Sequence, residues 1–125
     1  MRDLPPLDLD RVLRRVVPDS VQPQQPSRAR GETLKGRVTH VRDGDTIEVS
    51  GVPVRIANLD CAERDTPAGR AATRRMRALV GGGELNCRLE GRRSWDREVG
   101  TCALADGRDI GEMLIADRTC ARWRG

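Results

Sequence analysis

Residues 33–63 read TLKGRVTHVRDGDTIEVSGVPVRIANLDCAE, and their patterning decides the fold class. Thr33 to Arg42 carries Val38 and Val41; Thr46 to Ser50 alternates through Ile47 and Val49. Val52 to Asn58 sets Val54 and Ile56 against Arg55 and Ala57, the period-2 rhythm of half-buried strands. Ser50-Gly51 stands where a tight hairpin turns, because glycine reaches positive φ at no steric cost. Three successive antiparallel strands are expected.

Beyond residue 63 the period changes. Thr66-Pro67 is a helix start, with a hydroxyl to cap the first turn and a proline whose missing N–H is not needed there. Ala68, Ala72, Met76 and Leu79 fall on one face, Arg70, Arg74, Arg75 and Arg77 on others, and Gly81-Gly82-Gly83 ends the helix. Leu85, Cys87 and Leu89 alternate as a fourth strand, and Val99 to Leu104 form a fifth. Asp109, with Glu112 three residues on, opens a second helix with Ile110, Met113 and Leu114 as its apolar face. Arg118 to Trp123 reads as extended. The order βββ-α-ββ-α in about 90 residues suits a small five-stranded barrel of the oligonucleotide-binding (OB) type with helices outside, a mainly β fold with added α.

The chain divides into residues 1–32 and 33–125. In the first part Leu9, Val12, Leu13 and Val16 have helical spacing, so Asp8 to Val17 is read as a short amphipathic helix, either a docking element or the stub of a lost membrane anchor, with a disordered tail of leftover helicity as the preferred plainer reading. PDSVQPQQPSRARGE after it has the composition of a flexible linker. Over the whole 125 residues, 37% are hydrophobic and 34% charged, the net charge is +4, and Lys35 is the only lysine among 23 basic residues. The positive balance favours an anionic partner such as nucleic acid. With no Tyr or Phe and two Trp, the core must be aliphatic, and broad base-stacking platforms are set aside. Trp95 and Trp123 could supply some stacking surface, but they are expected in the core or at the barrel rim. No apolar run nears the roughly 20 residues a transmembrane helix needs. Four cysteines without a Cys-x-x-Cys, and the single His40, make a poor structural zinc site.

Two carboxylate groupings carry candidate chemistry. Asp43 and Asp45 flank Gly44 at the head of a strand, and Asp60 and Glu63 follow the strand that holds Arg55. Adjacent strand ends of this kind supply oxygen ligands to a hard divalent cation. A remaining acid acts as general base, and arginines grip phosphate oxygens. The combination suits phosphodiester hydrolysis; solvated turns are the plainer reading.

Four strings, VRDGDTIEV (41–49), VRIANLDCAE (54–63), SWDREVG (94–100) and LADGRDIGEMLI (104–115), resemble in order and spacing the staphylococcal-nuclease-like (thermonuclease) family. The resemblance covers residues 36 to about 123. It implies the same barrel and a calcium-dependent endonuclease that hydrolyses the DNA or RNA backbone by metal-assisted attack of water, preferably on single strands. Asp45 and Asp60 match its calcium carboxylates. Cys61 stands where the family has a threonine whose carbonyl joins the metal, Ala62 where it has a proline, and Asp43 matches an acid beside the metal. Glu63 matches the acid that activates water, and Arg55 a phosphate-binding arginine. The family's Asp-Arg/Lys-Tyr-Gly-Arg is shortened here by three residues. Arg97 is then either its catalytic arginine, with the gap beside it, or its first basic residue with the catalytic one lost. Arg74, Arg77, Arg92 and Arg93 are candidates for tracking a nucleic-acid backbone. Cys87 and Cys102 lie in strands read as neighbours, where exported relatives carry cysteines; a disulfide and buried free thiols are the alternatives, free thiols being the default. Cys61 and Cys120 have no assignment. The family's third helix and substrate-packing tyrosines are missing. The rival expectation is a degenerate barrel that binds nucleic acid or protein without cutting. A monomer is expected, exported or membrane-proximal in preference to cytoplasmic on account of the cysteines, although no signal peptide is visible.

Overall fold

The structure, a computed structural model, describes residues 27–124. The elements are β1 (Thr33–Asp43), β2 (Thr46–Val49), β3 (Val52–Ile56), β4 (Leu59–Asp60), α1 (Pro67–Val80), β5 (Glu84–Ser94), β6 (Arg97–Ala103), α2 (Ile110–Ala116) and β7 (Ala121–Arg122). Five strands close in the order β1-β2-β3-β6-β5. β5 returns to pair with β1, so the ring has no free edge. Every contact in it is antiparallel except β3 with β6, which run parallel. β4 and β7 form a separate two-stranded ribbon, with Leu59 opposite Arg122 and Asp60 opposite Ala121.

Alternation fills the interior. Ile47, Val49, Val54, Ile56, Leu85, Leu89 and Val99 are buried, and the core is aliphatic as composition requires. The expected Ser50-Gly51 turn is present, with φ of 49° and 78°. In α1 the Thr66 hydroxyl accepts the Gly69 N–H at 3.0 Å, and Gly81 closes the helix at φ 46°. The buried face is Gly69, Ala72, Thr73, Met76 and Val80, turned by about one residue from the expected stripe, so Ala68 is exposed and Leu79 half-buried. Thr73 tolerates burial because its hydroxyl donates to the Gly69 carbonyl at 3.0 Å. Asp109 caps α2 by accepting the Glu112 N–H at 2.9 Å, and Ile110 and Leu114 point inward.

Two expectations are corrected and a third is narrowed. β5 runs on to Ser94, past a register shift after Leu89, and β6 begins at Arg97, so only Trp95 and Asp96 separate them. Cys87 and Cys102 are not free thiols. They face each other across β5 and β6 and form a disulfide, while Cys61 pairs with Cys120. Of the two places expected for the tryptophans, the core is excluded and the rim holds: Trp95 is 89% exposed and Trp123 48%. The helix expected at Asp8 to Val17 lies outside the described residues. No helix among the described residues is long and apolar enough to cross a membrane.

Candidate active site

The turn Asp43-Gly44-Asp45 joins β1 to β2 and is seated closely. A Cβ on Gly44 would lie 2.7 Å from Ala72 Cβ of α1 and 3.0 Å from Cys61 Sγ, so only glycine lets the turn settle on the helix and the disulfide. The Asp45 N–H donates to Asp43 Oδ1 at 3.2 Å, and the Thr46 hydroxyl donates to Asp45 Oδ1 at 3.1 Å. Asp45 is 19% exposed at the side chain. Burial, and then the hydrogen bond and charge of Asp43, push its carboxyl up to about 6, against the opposing pull of Arg55 and Thr46.

Arg55 projects from β3 beside this turn and is held on several sides. Its guanidinium donates to the carbonyls of Ile56 and Leu59, the latter at 2.8 Å, and lies 3.8 Å from Asp45 Oδ2. Trp123 covers it, ring centroid 5.4 Å from the guanidinium carbon, a cation–π contact. Trp123 is placed there by the β4–β7 ribbon and by its own N–H, which donates to the Asn58 carbonyl at 2.9 Å.

The chain leaves β4 through Asp60, Cys61, Ala62 and Glu63. The Glu63 carbonyl accepts the Thr66 N–H at 3.0 Å and its hydroxyl at 2.7 Å, which folds the loop onto the start of α1. From the opposite wall Arg97 donates to the Thr46 hydroxyl at 2.9 Å, to the Ser94 carbonyl at 3.1 Å and to the Ser94 hydroxyl at 2.9 Å. Thr46 thus accepts from Arg97 while donating to Asp45, so one buried hydroxyl links the second arginine to the acid turn. The spacing of motifs carried no signal for Thr46 or Ser94, and none for Trp123 as the cover of Arg55.

Asp43, Asp45, Asp60 and Glu63, together with Arg55 and Arg97, line one cleft of about 560 Å³, with Cys61 at its wall. Arg92 lines an adjoining hollow of about 250 Å³ with Arg55, Arg97 and Trp123, and pairs with Glu90 at 3.0 Å. Arg93 reaches the buried Glu98 at 3.2 Å, and that carboxylate also accepts from Ser27 and the Arg28 N–H. Arg74 and Arg77 stand on the exposed side of α1, away from the cleft lining. Among the described residues no three histidine, cysteine or acidic side chains are gathered into one metal-sized group. With its sulfur in a disulfide, Cys61 has only its carbonyl to offer as a ligand.

This chain is similar to proteins named uncharacterized endonuclease. Two of them, from Escherichia coli O157:H7 and Escherichia coli, are each 33% identical over 94 residues, 72% of this chain. The chain spans 60% of their length. A Rhizobium meliloti protein named succinoglycan biosynthesis protein ExoI is 33% identical over 86 residues, 60% of this chain and 45% of its own. No family model matches the chain.

Proposed function

We propose that the chain is an endonuclease of the staphylococcal-nuclease-like type, built on a five-stranded OB-type barrel, that hydrolyses single-stranded DNA or RNA with calcium in the carboxylate cleft. The observation that carries this reading is convergence. Acids from the β1–β2 turn and the β4 exit meet arginines from β3 and β6 in one cleft, and the endonuclease names of the similar proteins agree with it. The ring order β1-β2-β3-β6-β5 supports the OB-type assignment.

The donor chemistry suits a hard cation. Asp43, Asp45 and Asp60 offer carboxylate oxygens; burial first, and Asp43 second, raise the Asp45 carboxyl, so a cation held there would favour its charged form. Asp45, Asp60 and the Cys61 carbonyl would hold the ion, with Asp43 beside them. When bound, it supplies a Lewis acid to a phosphate oxygen.

The chain's own groups do the rest. Glu63 is exposed in the cleft, where its carboxylate takes a proton from the attacking water. Arg55 and Arg97 donate to the phosphate oxygens as charge gathers on them. Because Arg55 is already fixed by two carbonyls and Arg97 by Thr46 and Ser94, little reorganisation is needed. The two disulfides fit an oxidising compartment.

The test is cleavage of a fluorescent single-stranded DNA with calcium and then with EDTA, beside Glu63→Ala. Cutting that needs calcium and falls about 10²–10⁴-fold in the variant is expected. A folded protein that binds the strand in calcium without cutting it overturns the hydrolytic reading in favour of a binding barrel.

A further inference from the structure

Trp95 and Trp123 are the only aromatic side chains of the chain. In a small aliphatic core, a buried tryptophan is among the larger favourable terms available, yet Trp95 is 89% exposed. Its backbone sits at φ 60°, in the left-handed region that side chains other than those of Asn and Asp seldom adopt. The two-residue turn between β5 and β6 would be served better by Asn or Gly at this position. Neither burial nor turn geometry accounts for a tryptophan here.

The hairpin that presents it is firmly held. Arg42 donates to both carboxylate oxygens of Asp96, at 3.2 and 3.0 Å, and to Glu48 at 2.9 Å. On the other side Arg97 is bound to Ser94. The backbone that carries Trp95 is therefore held, and its exposed side chain stands as a post at the rim of the carboxylate cleft. It also borders a second hollow of about 210 Å³, into which Arg64 and Arg97 bring positive charge. An aromatic face beside guanidinium groups suits an unpaired base and its phosphate. A duplex keeps its base faces stacked on one another and offers none to the post.

We propose that Trp95 stacks an unpaired base of the substrate strand next to the phosphate held by Arg55 and Arg97, and so makes the site selective for single strands. This deepens the phosphodiester reading of the cleft and rests on it. One post, not a broad platform, is what a chain without tyrosine or phenylalanine can supply.

The test measures binding in EDTA at low salt, apart from cleavage. Trp123→Phe leaves Trp95 as the sole tryptophan, and its fluorescence is titrated with oligo-dT, with an abasic deoxyribose-phosphate strand of equal length, and with a blunt hairpin duplex. Saturable quenching by oligo-dT alone is expected. Trp95→Ala is expected to weaken oligo-dT binding about ten- to a hundredfold while leaving the abasic strand and duplex unchanged, and Trp95→Phe to recover most of the loss. Equal binding of oligo-dT and the abasic strand, or an equal loss on both in Trp95→Ala, overturns the proposal. Quenching without DNA that tracks dimer formation in ultracentrifugation assigns the face to a second copy and also overturns it. Quenching in a protein that never cuts would sink the nuclease reading and leave the stacking post intact. Cutting with unaltered strand preference in Trp95→Ala would do the reverse.

Discussion

Gly69, in the first turn of α1, decides where Glu63 stands. On helix propensity alone, Gly69→Ala stabilises by up to about 1 kcal/mol. The structure reverses the sign. A Cβ on Gly69 would lie 1.7 Å from the Glu63 carbonyl oxygen, 2.5 Å from its carbon and 3.0 Å from the Ala62 oxygen. These are backbone atoms, so no rotamer relieves the contact, and the loop must retreat by roughly 1 Å or more to restore van der Waals distance. The same carbonyl accepts the Thr66 N–H and hydroxyl, so the retreat also loosens the cap, itself worth about 1 kcal/mol. Overpacking costs about 1–3 kcal/mol. After the propensity gain, a net loss of about 1–3 kcal/mol remains. If Glu63 is the general base proposed above, a misplacement near 1 Å costs on the order of 10²-fold in rate. Urea unfolding and kcat/KM on single-stranded DNA, measured in one calcium buffer, read both effects. A Gly69→Ala protein that is more stable and equally active would refute the placement of Glu63 against α1.

Removing Cys61–Cys120, which closes 59 residues, should cost about 4 kcal/mol and also lower kcat by freeing β7 and Trp123 from Arg55. Removing Cys87–Cys102, which closes 15, should cost about 3 kcal/mol with kcat unchanged in the folded fraction; equal losses of kcat for both pairs would contradict this. The Asp45 carboxyl titrates near 6 when folded and near 3.8 when unfolded, so between those values the folded state holds the extra proton. Stability of the metal-free protein therefore falls as pH rises from about 4 to about 6, by as much as about 3 kcal/mol. Asp45→Asn should flatten that slope in urea titrations, and calcium should raise the neutral-pH Tm of the native protein but not of the variant. Arg97→Lys loses the fork that spans Thr46 and Ser94, so kcat should fall about 10²-fold; rates within twofold of native would remove Arg97 from the site.

What could be read from the chain divides by range. The β1–β3 meander, the Thr66 cap and the Gly81 stop are set by neighbouring residues, and local alternation or a single φ requirement suffices to see them. The end of β5 was not legible. Gly91-Arg92-Arg93-Ser94 has no apolar alternation, and its pairing is imposed by β6 across a register shift. The Cys61–Cys120 bond depends on the two-residue β4–β7 ribbon, which is too short to show a period. The small rotation of α1 follows from Gly69 and Thr73. One has no side chain and the other is polar, yet both face inward, for clearance and for a backbone hydrogen bond.

The candidate site shows the same division, and its geometry follows from closure of the barrel. Acids and arginines could be named from four motifs, but what fixes them is the strand pairing itself. Thr46 lies opposite Arg55 across β2 and β3, and the Asp45 carbonyl accepts the Ile56 N–H at 2.8 Å. β3 runs parallel to β6 from Val54 to Ile56, which brings Arg97 within reach of the Thr46 hydroxyl. The hydroxyl that steadies Arg97 therefore lies in the hydrogen-bonded ladder that aligns Arg55. A slip of one residue in β2 would turn Ile47 and Val49 out of the interior and Thr46 into it, detach Arg97 and separate Asp45 from Arg55 together. The two arginines are positioned as a unit by the ring. The two-residue Trp95-Asp96 turn leaves Arg97 in the cleft because β6 begins at that residue.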